Sequence, residues 1–189
     1  MPLSRRRLAC LALPALVAGC TSPDPALYTI NMKPGPVLPG GPRIVQLRDI
    51  GLPGYLDRRE IVRSSADYRL GVMANDWWGE PVAGMLSRVI ILGLSQRLPN
   101  CSIYPEGGAI SNDPNAVLGV NIQRLDLDAS GSLELLAQAA VDFNRPRRSA
   151  SRGFHIVKSP PTRTVAGQVA ATSDAVAELT DGLASLLTS

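Results

Sequence analysis

VLGVNIQRLDLDASGSLELLAQAAVDF, residues 117–143, decides the fold. Leu118, Val120 and Ile122 alternate with Gly119 and Asn121, as a strand with one buried face requires. Leu125 and Leu127 continue on the opposite parity, and a bulge near Gln123 or Arg124 reconciles the two halves. Ala129-Ser130-Gly131 supplies a hairpin turn. Leu133, Leu135, Ala137, Ala139, Val141 and Phe143 then alternate strictly on the return strand.

Working outward, Phe154 and Ile156 predict one more strand beyond a basic loop that carries Arg145, Arg147, Arg148 and Arg152. The chain then ends in a long helix. Val165, Val169, Thr172, Val176, Leu179, Leu183 and Leu186 step by four and three, a narrow stripe suited to packing on the sheet. Upstream, Val82, Leu86, Val89, Ile90 and Leu94 form the apolar face of a first helix. Pro81 is tolerated near its start, Asp76 or a later residue caps it, and Pro99-Asn100 ends it. Short strands are expected over Tyr28–Met32, around Val45 and Leu47, over Glu60–Arg63, over Tyr68–Val72 and over Ser102–Tyr104. Pro34 to Pro42 reads as a loop. Gly51-Leu52-Pro53-Gly54 is a turn signal, and Ser64–Asp67 is the expected hairpin turn. The sum is a single α/β domain, a mainly antiparallel mixed sheet with two main helices packed on one face.

The first residues carry a different signal. Arg5, Arg6 and Arg7 precede an apolar run from Leu8 to Ala18 that is shorter than the about 20 residues of a spanning helix. Val17-Ala18-Gly19-Cys20 has the form of a lipobox. The expected organisation is a lipoprotein signal over 1–19, a lipidated tether over 20–25 and a domain over 26–189. The Cys20 thiol is diacylated and the new amine acylated. Each buried CH₂ contributes roughly 0.8 kcal/mol, so three chains hold firmly to a bilayer. Thr21 to Pro25 reach roughly 18 Å, which keeps the domain close to the membrane. Thr21, rather than Asp, follows the cysteine. In the enterobacterial sorting rule that favours the outer membrane.

The 189-residue chain has a formal net charge of +3, all of it from the three signal arginines. The mature chain is therefore near neutral, and nucleic acid is not an expected partner. Of the three cysteines, Cys10 leaves with the signal and Cys20 is lipidated. Cys101 remains alone and reads as a small buried hydrophobe. His155 is the single histidine, so neither a metal site nor a His-based catalytic set is expected. Gly93-Leu94-Ser95 lacks the closing glycine of a nucleophile elbow and sits in a helix. Asp126 and Asp128 read as solvated strand-end residues. No catalytic residue, metal or cofactor is expected.

The lipobox, Tyr28-Thr29-Ile30 and Leu52-Pro53-Gly54-Tyr55-Leu56-Asp57-Arg58-Arg59-Glu60-Ile61-Val62-Arg63 together resemble the PqiC-like ABC-type transport auxiliary lipoproteins. Asp76-Trp77-Trp78-Gly79-Glu80-Pro81 resembles that family's Trp-Ala-Glu-Pro segment at the start of the first helix. Gly79 stands where Ala is usual, and the doubled Trp leaves either one as the match. The resemblance implies a non-enzymatic subunit, anchored at the periplasmic face of the outer membrane, that works with an ABC permease and an MCE-domain protein in moving phospholipids between membranes. It also makes a symmetric ring of this domain plausible. Tyr55 and Leu56, expected to be exposed after their Pro/Gly turn, and Trp77 and Trp78, the only tryptophans, are the candidate partner-binding residues. The basic cluster from Arg145 to Arg152 could meet anionic headgroups or an acidic partner. The alternative is a structural scaffold lipoprotein of another envelope secretion or efflux complex.

Overall fold

The computed structural model describes residues 24–65, 68–109 and 113–189. The signal, Cys20 and the first part of the tether lie outside these, as do Ala66 and Asp67 of the expected hairpin turn. In chain order the elements are β1 (Ala26–Tyr28), β2 (Ile44–Leu47), β3 (Glu60–Ser64), β4 (Gly71–Trp78), α1 (Val82–Arg97), β5 (Ser102–Pro105), β6 (Ala116–Leu127), β7 (Leu133–Asn144), β8 (Arg147–Lys158) and α2 (Val165–Thr188).

The alternating stretch forms β6 and β7, paired antiparallel from Ala116↔Phe143 to Leu127↔Leu133. The register shifts between Ile122 and Arg124, where the change of parity requires the bulge. Asp128 closes the turn: its carboxylate accepts from the Ser130 and Ser132 amides at 2.8 and 2.9 Å. Gly131 takes the left-handed conformation there, φ 86°, which a glycine adopts without strain. The inward row of β7 is buried from Leu133 to Phe143, and Gln138, Ala140, Asp142 and Asn144 face outward.

β6 is the axis of the sheet. β7 lies along one side and carries β8 on its far edge. The other side is shared, with β2 parallel to the start of β6 and β3 parallel to its end. Between them the chain follows β6 through Arg48 N–H to Leu118 O and Gly51 N–H to Val120 O. β5 adds to β2 in parallel, β4 to β3 antiparallel, and β1 to β4 in parallel. The sheet is thus mixed, with its long pairings antiparallel.

Both helices cover one face. α1 contacts β5 and α2, and α2 contacts β7 and β8. The expected stripes are the buried ones: Val82, Leu86, Val89, Ile90 and Leu94 on α1, and Val165, Val169, Val176, Leu179, Leu183 and Leu186 on α2. Thr164 caps α2 by accepting from the Gly167 amide, whereas Pro81 precedes α1 without a side-chain cap. No helix among the described residues is long and apolar enough to cross a membrane.

Several boundaries differ from the sequence reading. β1 ends at Tyr28; Ile30 is fully buried beyond it and Met32 is exposed. β4 begins at Gly71, after Tyr68 and Leu70, and runs through Asp76, Trp77 and Trp78. Asp76 therefore caps no helix. Arg145 lies in the turn after β7, but the rest of the basic segment is not a loop: it forms the first half of β8. Its inward positions are Arg148, Ala150 and Arg152, and the arginines broke the apolar alternation. They occupy those positions with their guanidinium groups over aromatic rings, Arg148 at 3.7 Å from the Phe143 ring centre and Arg152 at 5.2 Å from that of Phe154.

Candidate partner-docking site

The two motif segments, 52–63 and 76–81, meet in space. Pro53 O accepts from the Leu56 amide, and this tight turn leads the chain into β3. There Glu60 stands opposite Trp77 of β4. Arg59 O accepts from the Trp78 amide at 2.8 Å, and the Arg59 guanidinium lies 5.0 Å from the centre of the Trp77 ring. The indole N–H of Trp77 donates to Ala74 O at 2.9 Å. Both tryptophans are half-buried, and Trp78 packs against the core.

Beside them opens a groove of about 500 Å³. Leu27, Trp78, Pro81 and Val82 give it an apolar lining, and Asp57, Arg58, Arg59 and Glu80 a charged border. Leu27 is 67% exposed, a large apolar side chain left in water at the edge of the sheet. Gly79 completes the wall, its amide donating to Tyr28 O at 2.8 Å. A Cβ at Gly79 would stand 3.5 Å from that oxygen, an ordinary contact, so the glycine here is compatible with the alanine usual in the family. Glu80 pairs with Arg88, which also donates to Thr29 Oγ1 at 3.2 Å. That ties the start of α1 to the segment after β1.

Tyr55 and Leu56 are placed differently from the expectation of exposure. Leu56 is 6% exposed and belongs to the core. Tyr55 is half-buried and reaches across the outer face of the sheet to donate its hydroxyl to Asp126 Oδ2 at 2.8 Å. The Leu52–Leu56 loop roofs that end of the sheet, so Asp126 is fully buried rather than solvated. Arg124 Nε donates to Asp126 Oδ1 at 3.0 Å, and Arg124 also pairs with Glu134. His155 Nε2 lies 3.0 Å from the other Glu134 oxygen. Burial first, then the hydrogen bond to Asp126 and its negative charge, push the Tyr55 phenol far above its ordinary range. This chain of polar groups fixes the loop to the sheet.

A second buried charge escaped the sequence reading. Arg97, at the end of α1, is 1% exposed. Its Nε donates to Asp181 Oδ1 at 2.5 Å, and its Nη atoms donate to Gly93 O, Lys33 O and Ala177 O. It joins α1, α2 and the loop after β1. A buried cation is tolerated only with such saturation. Its sequence signal was position alone: an arginine continuing the apolar face of a helix.

Cys101 is half-buried, its thiol against Pro42 O at 2.6 Å, and burial raises its pKa. Among the described residues no three metal-ligating side chains converge. Cys20 lies outside the described residues.

The family model for the ABC-type transport auxiliary lipoprotein component matches residues 28–184, and the chain belongs to that family. It is an auxiliary transport family rather than an enzyme family. No curated protein matches the chain. Among solved structures, an uncharacterised protein superposes with a TM-score of 0.71 at 16% identity, covering 86% of this chain and 98% of its own. A Xanthomonas campestris protein of the DUF330 family gives 0.69 at 16% identity, over 86% and 96%. A PelC dodecamer from Paraburkholderia phytofirmans gives 0.42 at 9% identity, over 89% and 96%.

Proposed function

We propose that this chain is the outer-membrane-anchored periplasmic auxiliary subunit of an ABC/MCE-type system that moves phospholipid between membranes and supports envelope integrity. Residues 1–19 are its lipoprotein signal, and Cys20, acylated, is its anchor. Residues 26–189 are the working domain. The observation that carries the reading is the groove of about 500 Å³, built where both family motifs meet in a chain of this family. Trp78 and Leu27 offer apolar area in the groove, Trp77 stands beside it under the Arg59 guanidinium, and Arg58, Arg59, Asp57 and Glu80 offer the charged rim of a protein interface. Tyr55 and Leu56 act indirectly, by holding the loop that leads into β3. A symmetric ring of the domain suits the ring symmetry of an MCE partner.

The test is a photo-crosslinking amino acid at Leu27, an exposed residue of the groove wall, in the full-length lipidated protein, used in cells. Capture of an MCE-domain protein or its ABC permease is the expected result. Capture of only secretion or cell-wall components overturns the lipid-transport reading in favour of a scaffold role.

A further inference from the structure

Large apolar side chains crowd the connection between β3 and β4. Tyr68 is 108% exposed, Leu70 47% and Val72 36%. Tyr68 holds φ 59°, a left-handed conformation uncommon for a bulky residue. Arg69 between them is exposed. Three apolar side chains in water within five residues form a patch that a monomer would be expected to cover.

The direction of β1 says what covers it. β1 pairs in parallel with the end of β4, Ala26 opposite Asp76 and Tyr28 opposite Trp78. The chain therefore enters β1 at the end that lies nearer to Val72, Leu70 and Tyr68. From Asp76 to Val72 is at most about 13 Å of strand. The six residues from Cys20 to Ala26 span at most about 20 Å. A bilayer that holds an acyl chain on Cys20 is therefore within reach of this tip. Ser64, just before the tip, is opposite Leu127, so the β6–β7 turn lies at the same end. Arg63, Arg163 and Asp128 line a cavity there, and with Arg69 the three arginines outnumber that carboxylate.

We infer that the β3–β4 tip is a second membrane contact, with Tyr68, Leu70 and Val72 seated in the headgroup boundary of the leaflet that holds the anchor and the arginines on anionic headgroups. The inference rests on the acylation of Cys20. An apolar patch flanked by basic residues suits an interfacial site. The lipid anchor raises the local concentration of membrane at the tip, so a contact too weak to bind alone is occupied once tethered. The domain then stands on two points rather than swinging from one.

The experiment uses the full-length lipidated protein with Cys101→Ala and a single environment-sensitive nitrobenzoxadiazole label, at Leu70→Cys or at Ser149→Cys near the opposite end of β8. Both are reconstituted on vesicles of phosphatidylethanolamine and phosphatidylglycerol. Nitroxide-labelled lipids are expected to quench the label at position 70 several-fold more than at position 149, with a blue shift at 70 alone, and Val72→Asp should abolish the difference. Flotation with the vesicles and mass spectrometry of the N-terminal peptide report the anchor separately. An acylated, floated protein whose label at 70 stays as wet as that at 149 overturns the tip contact alone. An unacylated N-terminus overturns the anchor and the tip contact together.

Discussion

At the scale of the residue, Tyr55 and Asp126 show how a buried polar pair is sustained. Asp126 loses all contact with water and recovers it from Tyr55 and Arg124. Tyr55→Phe removes one donor and leaves the other. The expected loss is about 1–3 kcal/mol, the cost of an under-satisfied buried acceptor, read from urea unfolding. The pH dependence follows from the direction of the phenol's shift. The folded pKa lies above the ordinary 10.0, so the stabilisation is complete below the unfolded value and is lost as pH rises through the folded one. The stability deficit of Tyr55→Phe should therefore be full at about pH 8 and begin to narrow by about pH 11. A deficit that widens on the alkaline side would contradict the assignment. None of this was legible in the sequence. A charged residue near a strand end ordinarily faces water, and the roof over Asp126 comes from a loop 71 positions away in the chain.

Elements were legible to the degree that their periodicity was intact. The alternation of β7 and the stripes of both helices are the buried faces in the structure, and the β6 bulge falls where the parity changes. β8 was legible only at Phe154 and Ile156, because Arg148 and Arg152 occupy the inward positions before them. β4 was misplaced because its apolar alternation, Tyr68, Leu70 and Val72, belongs to an exposed tip. Close approach matters as much as pattern in α2. A Cβ on Gly167 would lie 2.1 Å from the carbonyl oxygen of Thr162, and backbone cannot swing aside as a side chain can. Helix propensity alone would favour alanine there by about 1 kcal/mol. The overlap should outweigh it, so Gly167→Ala is expected to cost about 1–3 kcal/mol. A shift of the urea midpoint to lower concentration is the sign to look for; a shift upward would mean that propensity wins.

For the whole molecule, the single-domain mixed α/β architecture followed from the order of elements, but the sharing of one side of β6 did not. β2 and β3 meet β6 in parallel at its two ends, a pairing decided by the Arg48–Gly51 bridge and by the crossover through α1. No local pattern encodes that. One consequence is cooperative unfolding. A single core joins residues from Ile30 to Leu187, so no portion is expected to melt by itself. Tryptophan emission, which reports β4, and far-ultraviolet circular dichroism, dominated by the helices, should give the same midpoint in urea. Two separated midpoints would show that the β1–β4 edge opens on its own.

The orientation of β1 also decides how the domain bears load. With Cys20 acylated as proposed, tension from the anchor enters the sheet through β1. The hydrogen bond from the Gly79 amide to Tyr28 O and the other ladder bonds to β4 lie across that tension, and the Tyr28 hydroxyl adds a bond to Asp76. Pulled along the strand they resist together, in shear, whereas a pull across the sheet would open them one at a time. On that reading the shortest strand of the sheet is the domain's mooring.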